Sequence, residues 1–393
     1  MDSYPKEIYE GLQIPSGPTR PVKESVKELV VKPKLTDSEI KAREGTYFTE
    51  KDAEILNEDT DVYRLDEQGE KHLLAKFRKK VFTPEEIKRG WEGFYETAAP
   101  SRNRGAAAGP INLESEYWKK RKPIHITKWS TKYVQNGKTS KMRVNNNVMS
   151  SVLGYFETTP FMGLPCRLTS YTQRFFKPYK HGIPWLVAID DKFKRLIPGA
   201  HKKQFKAISQ KPYYRIAKTA FSSVTLNRNF RTALHKDAGD FQEGFGNLTV
   251  IERGEYDGAY TIFPQYKVGF NVRTGDFLAM DVHQWHCNTE IHESKAQAKA
   301  NKQLPDIYED DPTTGTFGTN KPYSRISFVC YFREKLQKCK ESETRKYYKR
   351  IEFDPEKGHL KRKTRKVKQG KEKEKEKEKE KEKGKAEKIS SDE

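Results

Sequence analysis

The distribution of hydrophobic and polar positions predicts a series of short strands in the second half of the chain. From residue 221, runs of β-branched and aromatic residues are separated by turns that contain glycine. Many short strands at this spacing are typical of a β-sandwich or barrel. The predicted strands are 221–226, 247–252, 259–263, 267–272, 276–283 and 325–332.

Helical spacing occurs at two places in the first half. The segment TPEE has a threonine N-cap, a proline in the first turn and acidic residues after it. It predicts a helix over about 83–97 with a buried face of Ile87, Trp91 and Tyr95. The spacing is helical again at 193–209.

Composition divides the chain into an arm, one domain and a tail. The arm is rich in Pro, Lys and Glu without an apolar period, and much of the tail alternates Lys with Glu. That alternation places like charges four residues apart in a helix, so both basic ends are predicted to be disordered. Residues 48–74 have a mixed pattern that favours helix and turn. The predicted divisions are 1–45 for the arm, 46–350 for the domain, 80–209 for its helical part, 210–335 for its β core and 351–393 for the tail.

The charge indicates a polyanionic partner. The formal net charge is +21, and residues 361–393 contain 15 Lys and Arg against 9 Asp and Glu, so the remaining 360 residues carry +15. A basic body with a basic tail favours nucleic acid over a merely solubilising surface. Lys and Arg interleave with aromatic residues at 117–148, which suits phosphate contacts and base stacking, although a solvated face would have the same composition. The helical part at 80–209 is therefore predicted to contact DNA.

Cysteine usage and apolar runs predict the compartment. Cys166, Cys287, Cys330 and Cys339 form no C-x-x-C pair, which is not a disulfide framework and suits a reducing environment. No run of about 18 apolar residues and no apolar leader are present in the sequence, so we expect an intracellular protein that does not enter a membrane. The segment KRKTRKVK is a candidate nuclear-localisation or DNA-contact patch, which predicts the nucleus if the source is eukaryotic.

Two histidines and an aspartate are candidate metal ligands. His235 and Asp237 form a His-x-Asp pattern, and His286 follows 49 residues after Asp237. Two imidazoles and one carboxylate can hold one face of an octahedral Fe(II) and leave the opposite face open. A His-x-Asp pattern alone is common by chance, so its value as evidence for a metal site depends on the surrounding sequence.

A second histidine competes for the third ligand position. Along the strand that starts near Asp276, alternation places His286 on the face of Leu278 and Met280, and it places His283 on the other face. The aliphatic face should point into the core, so His286 is the predicted ligand. A zinc site at His283, His286 and Cys287 is the alternative for a DNA-binding protein without catalysis, but the sequence offers no fourth ligand at suitable spacing.

The last predicted strand has a candidate anion site. Arg325 and Ser327 share a face, and an arginine that faces a barrel interior is costly unless an anion meets it. A dicarboxylate such as 2-oxoglutarate would accept two parallel hydrogen bonds from the guanidinium. The alternative is a structural ion pair with an internal aspartate.

Three blocks of sequence resemble the TET/JBP family of Fe(II)/2-oxoglutarate dioxygenases, which oxidise the 5-methyl group of pyrimidines in DNA. The blocks are 227–264 (NRNFRTALHKDAGDFQEGFGNLTVIERGEYDGAYTIFP), 275–289 (GDFLAMDVHQWHCNT) and 325–334 (RISFVCYFRE). The segment NRGAAAG at 103–109 is similar to a motif before the barrel in that family, and the likeness covers roughly 100–335.

The resemblance implies an α+β fold with a double-stranded β-helix (jelly-roll) core that is flanked by N-terminal helices. It also implies Fe(II) and 2-oxoglutarate as cofactors and O2 as co-substrate. The residues implied for them are His235, Asp237 and His286 for iron, and Arg325, Ser327, Asn227 and Arg231 for 2-oxoglutarate.

The resemblance also indicates the substrate. The family has Asn or Asp three residues after the metal aspartate, where it contacts a flipped base, and here that residue is Asp240. A carboxylate accepts from the exocyclic amine of cytosine but repels O4 of thymine, which predicts 5-methylcytosine as the target base. An Asx turn is the structural alternative for Asp240. Asn103 and Arg104 are further candidates for base or phosphate contacts.

Three functions are therefore compared. The first is oxidation of 5-methylcytosine in DNA by base flipping. The second keeps the fold but acts on thymine in DNA, an RNA base or a protein side chain, and the third is DNA binding without catalysis. A polar insert at 293–323 lengthens the spacing from His286 to Arg325, and the sequence does not define its role or the oligomeric state.

Overall fold

A computed structural model describes residues 10–15, 19–23, 25–305 and 323–360. The chain divides into two units, Met1–Arg345 and Lys346–Glu393. None of the helices in the described ranges has the length and apolar character that crossing a bilayer requires.

The helices are short apart from one of 21 residues. Within the described residues the α-helices are α1 Asp37–Ala42, α2 Pro84–Phe94, α3 Glu116–Lys119, α4 Ser170–Arg174, α5 Phe176–Leu196, α6 Pro198–Ser209, α7 Lys295–Asn301 and α8 Glu341–Arg350. Single 3-10 turns lie at Glu50–Asp52, Gly105–Ala108, Pro160–Met162, Pro212–Tyr214 and Glu334–Lys338.

The strands occur along most of the described chain. They are β1 Lys27–Val31, β2 Glu54–Leu56, β3 Thr60–Leu65, β4 Lys71–Arg78, β5 Pro100–Ser101, β6 Lys122–Ile124, β7 Lys132–Gln135, β8 Lys138–Thr139, β9 Val148–Phe156, β10 Arg167–Leu168, β11 Ser223–Arg228, β12 Gly246–Arg253, β13 Asp257–Gly258, β14 Thr261–Phe263, β15 Val268–Phe270, β16 Phe277–Met280, β17 Cys287–Asn288, β18 Ile291–His292, β19 Ser324–Tyr331, β20 Phe353–Asp354 and β21 His359–Leu360.

Two sheets organise the first unit. Counting described strands only, the larger sheet has ten, in the order β1-β3-β4-β16-β12-β19-β11-β9-β10, with β5 paired to β9. Its central strands β12, β19 and β11 are antiparallel neighbours. The second sheet has the order β17-β14-β15-β2. The strands predicted after residue 221 are thus confirmed as the centre of both sheets.

The main hydrophobic core is shared by the two sheets. Phe77, Val250 and Leu278 of the larger sheet and Phe263 and Phe270 of the second belong to one buried cluster, and all five are fully buried. Because burial of such large apolar surfaces dominates folding, this cluster holds the sheets together. The molecule is a mixed α+β protein.

The predicted helix at 83–97 is confirmed as α2, which is shorter at its C-terminal end. Thr83 and Glu86 form a reciprocal capping box, and Ile87 and Trp91 are fully buried. Tyr95, the third residue of the predicted face, caps the helix and is also buried. The helical spacing at 193–209 corresponds to the end of α5 and all of α6.

Regular structure also occurs where the sequence predicts none. The predicted disordered arm at 1–45 contains β1, which pairs in parallel with β3, and α1, which has a capping box between Thr36 and Glu39. That prediction is wrong for residues 27–42. The region 48–74 contains β2, β3 and the start of β4 in place of an α-helix, together with the 3-10 turn at Glu50–Asp52. These strands are short and polar on one face, so their pattern is weak, and pairing onto an existing sheet decides their conformation.

The remaining polar segments are partly described. Segment 117–148 contains α3 and a three-stranded sheet of β6, β7 and β8. In the predicted tail, β20 and β21 form a hairpin, so disorder is wrong for 353–360. The insert at 293–323 begins with α7, while 306–322 and the tail after 360, including KRKTRKVK, lie outside the described residues.

Two of the four cysteines are paired. Cys166 and Cys339 form a disulfide, whereas Cys287 and Cys330 are buried thiols. The sequence predicted no disulfide framework, and this one bridge is an exception to that prediction. The two half-cystines are 173 residues apart and meet in a cluster with Tyr214 and Phe332, a proximity that sequence spacing does not reveal.

We predict that Gly93→Ala destabilises the protein by about 1–3 kcal/mol, because overpacking forces backbone shifts. A Cβ on Gly93 of α2 would lie 2.5 Å from Cα of Gly182 on α5, so the helices could not keep their approach. The denaturant midpoint measures the effect. Gly199→Ala in α6 is the matched control, since among the described residues nothing lies within 4 Å of its Cβ. Equal stability of Gly93→Ala and wild type would contradict this account of the helix pair.

Candidate metal and anion site

The two candidate histidines are joined by their backbones. His235 and His286 form an isolated antiparallel bridge in which each N–H donates to the other's carbonyl at 3.0 Å. The N–H of Asp237 donates to the carbonyl of Val282 at 3.0 Å. The loop after β11 and the turn after β16 are therefore fixed against each other at the point where the three side chains meet.

The side chains of this cluster point at a common centre. Nε2 of His235 lies 3.4 Å from Oδ1 of Asp237, and Nε2 of His286 lies 3.9 Å from Oδ2. One ligand atom from each residue lies within 4.8 Å of the others. Such spacing is suited to a single ion bound by one face of its coordination shell.

Both imidazoles are held in the tautomer that a metal requires. Nδ1 of His235 is 2.8 Å from the carbonyl of Ala233, and Nδ1 of His286 is 2.9 Å from the carbonyl of Gln284. A carbonyl only accepts, so each Nδ1 carries the proton and each Nε2 presents a lone pair. The other ring nitrogen of a metal-binding histidine is usually anchored in this way.

Protonation states also fit a cation. Burial lowers the pKa of His286 to about 4, and the neighbouring His235 adds to this effect, so His286 is neutral at physiological pH. Burial alone would raise the pKa of Asp237, but the adjacent imidazoles of His235 and His286 and the charge of Arg104 bring it below its ordinary range. The cluster therefore offers one anionic and at least one neutral nitrogen ligand.

The structure separates His286 from its competitors. His286 is 5% exposed and faces the cluster, whereas Nε2 of His283 lies 3.3 Å from the carbonyl of Phe241. Cys287 packs in a hydrophobic cluster with Trp285, and burial raises the pKa of its thiol. In the part of the chain that is described, the zinc alternative thus has no cluster of ligands. The choice of His286 over His283 agrees with the structure, but strand alternation is not the cause. β16 ends at Met280, and a turn precedes the histidine.

A cavity of about 430 Å³, called the first cavity, joins the metal cluster to the predicted anion site. His235, Asp237, His286, Arg325, Ser327 and Asn227 all line it. Asn227 on β11 and Ser327 on β19 are direct cross-strand partners. The alternation predicted for the last strand is therefore observed, with Arg325, Ser327 and Val329 on the cavity wall.

Arg325 has unused donors in this cavity. The residue is 4% exposed, and its buried Nε and Nη2 have no hydrogen-bond partner among the described residues. Burial lowers the pKa of Arg325, but a guanidinium remains charged in proteins. A buried charge with free donors is costly unless a ligand completes it, so this side chain fits a carboxylate.

A neighbouring carboxylate is prevented from neutralising Arg325. Glu252 is the cross-strand partner of Arg325, but its oxygens accept from the backbone N–H and hydroxyl of Thr274 at 2.6 and 2.9 Å. They also accept from the hydroxyl of Tyr256 and from Nη1 of Arg273, the latter at 3.2 Å. Four donors occupy the oxygens of Glu252, so it acts on Arg325 through its charge, while Nε and Nη2 of Arg325 have no hydrogen-bond partner among the described residues.

The loop at 103–109 forms another part of the wall. Asn103 and Arg104 line the first cavity, as does the turn Gly105–Ala108. Arg104 is half-buried, and its charge interacts with Asp237. Asn103 is exposed and accepts from the hydroxyl of Ser101. Both residues are thus placed at the metal cavity.

Two sequence-based assignments do not reach this cavity. Arg231 lies outside its lining, donates to Glu290 at 3.1 Å and packs over the ring of Tyr47, so its position does not fit 2-oxoglutarate binding. Asp240 is also absent from the lining and forms a backbone bridge with Arg333. It is 6% exposed, and its Oδ2 has no partner within the described ranges.

Comparison with known proteins identifies the domain that contains this site. The family model Tet_JBP, described as the oxygenase domain of the 2OGFeDO superfamily, matches residues 151–334. The matched segment, 184 of the 393 residues, is similar to that oxygenase domain. The match includes every candidate metal ligand and the anion-site residues Asn227, Arg325 and Ser327, while the loop at 103–109 precedes it.

Two curated relatives each match part of the chain. The bifunctional helicase and thymine dioxygenase JBP2 of Leishmania infantum is 33% identical over 206 residues, which are 51% of this chain and 16% of the relative. The thymine dioxygenase JBP1 of Trypanosoma brucei brucei is 37% identical over 155 residues, or 39% of this chain and 18% of the relative. The chain thus spans about a sixth of the length of these proteins. The solved structure of NgTET1 in complex with 5mC DNA has a TM-score of 0.42 at 13% identity, covering 80% of this chain and 96% of the other.

Sequence reasoning missed the residues that keep Arg325 available. Glu252 is a charged residue at the end of an otherwise apolar predicted strand, and that position was the only visible signal. Tyr256 and Arg273 are 4 and 21 residues away from it in the sequence. Their convergence depends on the turn after β12 and on the return of the chain before β16.

We predict that His235→Ala weakens Fe(II) or Co(II) binding at least about 100-fold, because losing even a supporting group costs 10–100-fold in metal affinity. Anaerobic equilibrium dialysis measures the dissociation constant. His283→Ala is the control, since it removes an imidazole from the same turn but not from the cluster. A comparable loss in His283→Ala, or none in His235→Ala, would overturn the ligand assignment.

We predict that Arg325→Gln raises the dissociation constant of 2-oxoglutarate about 30-fold or more, since truncating a buried charge pair costs about 2–5 kcal/mol. Calorimetry on metal-loaded protein without O2 gives the value. Arg231→Gln is expected to retain wild-type affinity, although the sequence assigned it to the same ligand. Loss of affinity in Arg231→Gln alone would show that the anion site is elsewhere.

Proposed function

We propose that this chain is an Fe(II)- and 2-oxoglutarate-dependent dioxygenase that oxidises the 5-methyl group of a pyrimidine in DNA. One observation supports it most. Nε2 lone pairs of two anchored histidines, a carboxylate and a buried guanidinium with free donors line the same cavity. The Tet_JBP domain match and the dioxygenase relatives agree with this chemistry. The proposal includes the double-stranded β-helix, for which the two packed sheets are supporting evidence.

Each group has a defined task in the proposed reaction. Iron with 2-oxoglutarate and O2 supplies an oxidant that can hydroxylate a C–H bond. His235, Asp237 and His286 hold the ion, and Arg325 binds and orients the dicarboxylate with help from Ser327. The strands β11 and β19 form a buried side of the cavity, whereas the loop at 103–109 contributes an exposed side with Asn103.

DNA is the proposed partner. The sequence carries +15 outside the last 33 residues, and residues 117–143 contain nine Lys and Arg with no Asp or Glu. A base inside a duplex cannot reach an enclosed metal, so the target nucleotide would be flipped into the first cavity. Asn103 and Arg104 are proposed to contact that nucleotide at the cavity wall.

In this proposal Asp240 selects the base, and its carboxyl must turn toward the first cavity to do so because it does not line that cavity. Burial and the nearby Asp237 carboxylate raise the pKa of Asp240 well above its ordinary value, which favours a neutral carboxyl. A neutral carboxyl donates and suits O4 of thymine, whereas a carboxylate accepts from the amine of cytosine. Thymine, the substrate in the names of both relatives, is therefore a second candidate beside 5-methylcytosine.

A single assay tests the function. The full chain is incubated with Fe(II), 2-oxoglutarate, O2 and duplexes that contain thymine or 5-methylcytosine at one position, and succinate and oxidised base are quantified by mass spectrometry. Oxidised base in step with succinate is expected, with His235→Ala inactive. Succinate without oxidised base would indicate an RNA base or a protein side chain as substrate, and no succinate would reject the proposed activity.

The same assay yields a pH prediction. Asp240 is neutral below its raised pKa and ionised above it, so the ratio of oxidised thymine to oxidised 5-methylcytosine should fall as the pH rises. Asp240→Asn has an amide that donates and accepts at every pH, so its ratio should not change with pH. A pH-independent ratio in the wild type would remove Asp240 from base selection.

A further inference from the structure

A second cavity of about 410 Å³ adjoins the first. It is lined by residues from four segments, among them Tyr47, Tyr117, Asn146, Asn147, Phe230 and Arg231. Phe230 lines both cavities, and the turn that ends at Ala108 contributes Ala106 and Ala107 to the first and Ala108 to the second. The two spaces therefore lie on opposite sides of one thin wall.

Most polar groups of the second cavity are already used. The oxygen of Asn146 accepts from Asn112 N–H at 3.0 Å and from Trp118 Nε1 at 3.1 Å, and its amide donates to Ala108 at 2.9 Å. The amide of Asn229 donates to the carbonyl of Tyr323 and its oxygen accepts from the N–H of Arg325. The polar groups of these two side chains are therefore engaged in hydrogen bonds within the protein and stabilise the cavity walls.

Two donors remain. Nδ2 of Asn147 and Nε of Arg231 are buried and have no hydrogen-bond partner in the described ranges of the chain. Both residues line the second cavity. Because an unsatisfied buried donor costs free energy, a ligand for this space should present acceptors to these two groups.

The aromatic walls favour a flat ligand. Tyr47, Tyr117 and Phe230 line the cavity, and the guanidinium of Arg231 lies 4.4 Å from the centroid of the Tyr47 ring. Aromatic rings and arginine planes are the surfaces on which nucleobases stack. The volume falls in the range of pockets for small ligands.

Charge argues for a neutral acceptor instead of a phosphate. Arg231 is already paired with Glu290 at 3.1 Å, and its Nη2 donates to the carbonyl of Phe48. Glu116 lines the same space and would repel a phosphate. A ring carbonyl or ring nitrogen of a base meets the two donors without this repulsion.

We propose that the second cavity binds a second nucleobase of the same DNA, displaced from the stack beside the base that enters the first cavity. The inference rests on the proposed function for its DNA partner. The stacking surfaces hold the ring, and Asn147 and Arg231 donate to its acceptors. Binding two bases on either side of the wall would keep the duplex open at the reacting position.

An abasic scan tests the proposal with the full chain. Labelled duplexes carry a tetrahydrofuran abasic site either opposite the methylpyrimidine or one position to either side, and dissociation constants are measured by fluorescence anisotropy. Wild type should lose about tenfold in affinity at one of these positions, the size of one lost base stack. Asn147→Asp, which replaces the donor by an acceptor, should bind the intact duplex about tenfold more weakly and show no further loss at that position.

Two further variants control for charge and folding. Asn136→Asp makes the same charge change at the exposed β7–β8 turn, and it should affect all duplexes equally. Ser115→Leu, whose hydroxyl caps no backbone group of α3 among the described residues, should fill the cavity and reproduce the position-specific loss. Thermal midpoints near that of wild type verify folding.

The outcomes separate the two proposals. Identical sensitivity of wild type and Asn147→Asp to abasic sites at every position, or no sensitivity in the wild type, would overturn the second nucleobase site. If the position-specific coupling is found but no base is oxidised, only the proposed reaction fails. If base oxidation proceeds without coupling, only the second site fails.

Discussion

The pair of backbone hydrogen bonds between His235 and His286 is the constraint on which the site depends. Each bond joins segments that are about 50 residues apart in the sequence, and together they bring the ring centroids to 4.4 Å. Once this bridge exists, Asp237 reaches both imidazoles because its own N–H is fixed to Val282. The ligand geometry is therefore set by main-chain pairing, and side-chain rotamers only complete it.

The Arg325 end of the first cavity is organised by side-chain hydrogen bonds and not by backbone pairing. A buried arginine normally finds a carboxylate, and Glu252 stands directly across the sheet from Arg325. Thr274, Tyr256 and Arg273 occupy the oxygens of Glu252 and so prevent that pairing. The protein keeps a charged, unpaired donor in its interior, which is unfavourable for folding and useful for binding.

The two cavities are separated by residues that line both of them or adjoin each other in the sequence. The loop 103–109 and the segment after β11 contribute residues to both, so a change of conformation in this wall would alter the shape of both cavities. Asn229, at φ 47°, links the parts: its amide group bonds to Tyr323 and to the N–H of Arg325 while it lines the second cavity. Asn229 thus joins the backbone of Arg325 to the wall of the second cavity.

The sequence by itself determined the local features. The TPEE segment identified the start of α2, alternation placed Arg325 and Ser327 on one face, and the resemblance singled out His235, Asp237 and His286. These features depend on neighbours within a few residues or on sequence blocks that resemble a known family, and so the sequence alone reveals them.

Only the tertiary structure decided which side chains share a space. Arg231 lines the second cavity, Asp240 is not in the lining of the first, and Cys166 is paired with Cys339. The tertiary structure also formed sheet strands at 27–31, 60–65 and 71–78. Each of these outcomes depends on contacts between residues far apart in the chain, where pairing and burial override local preference.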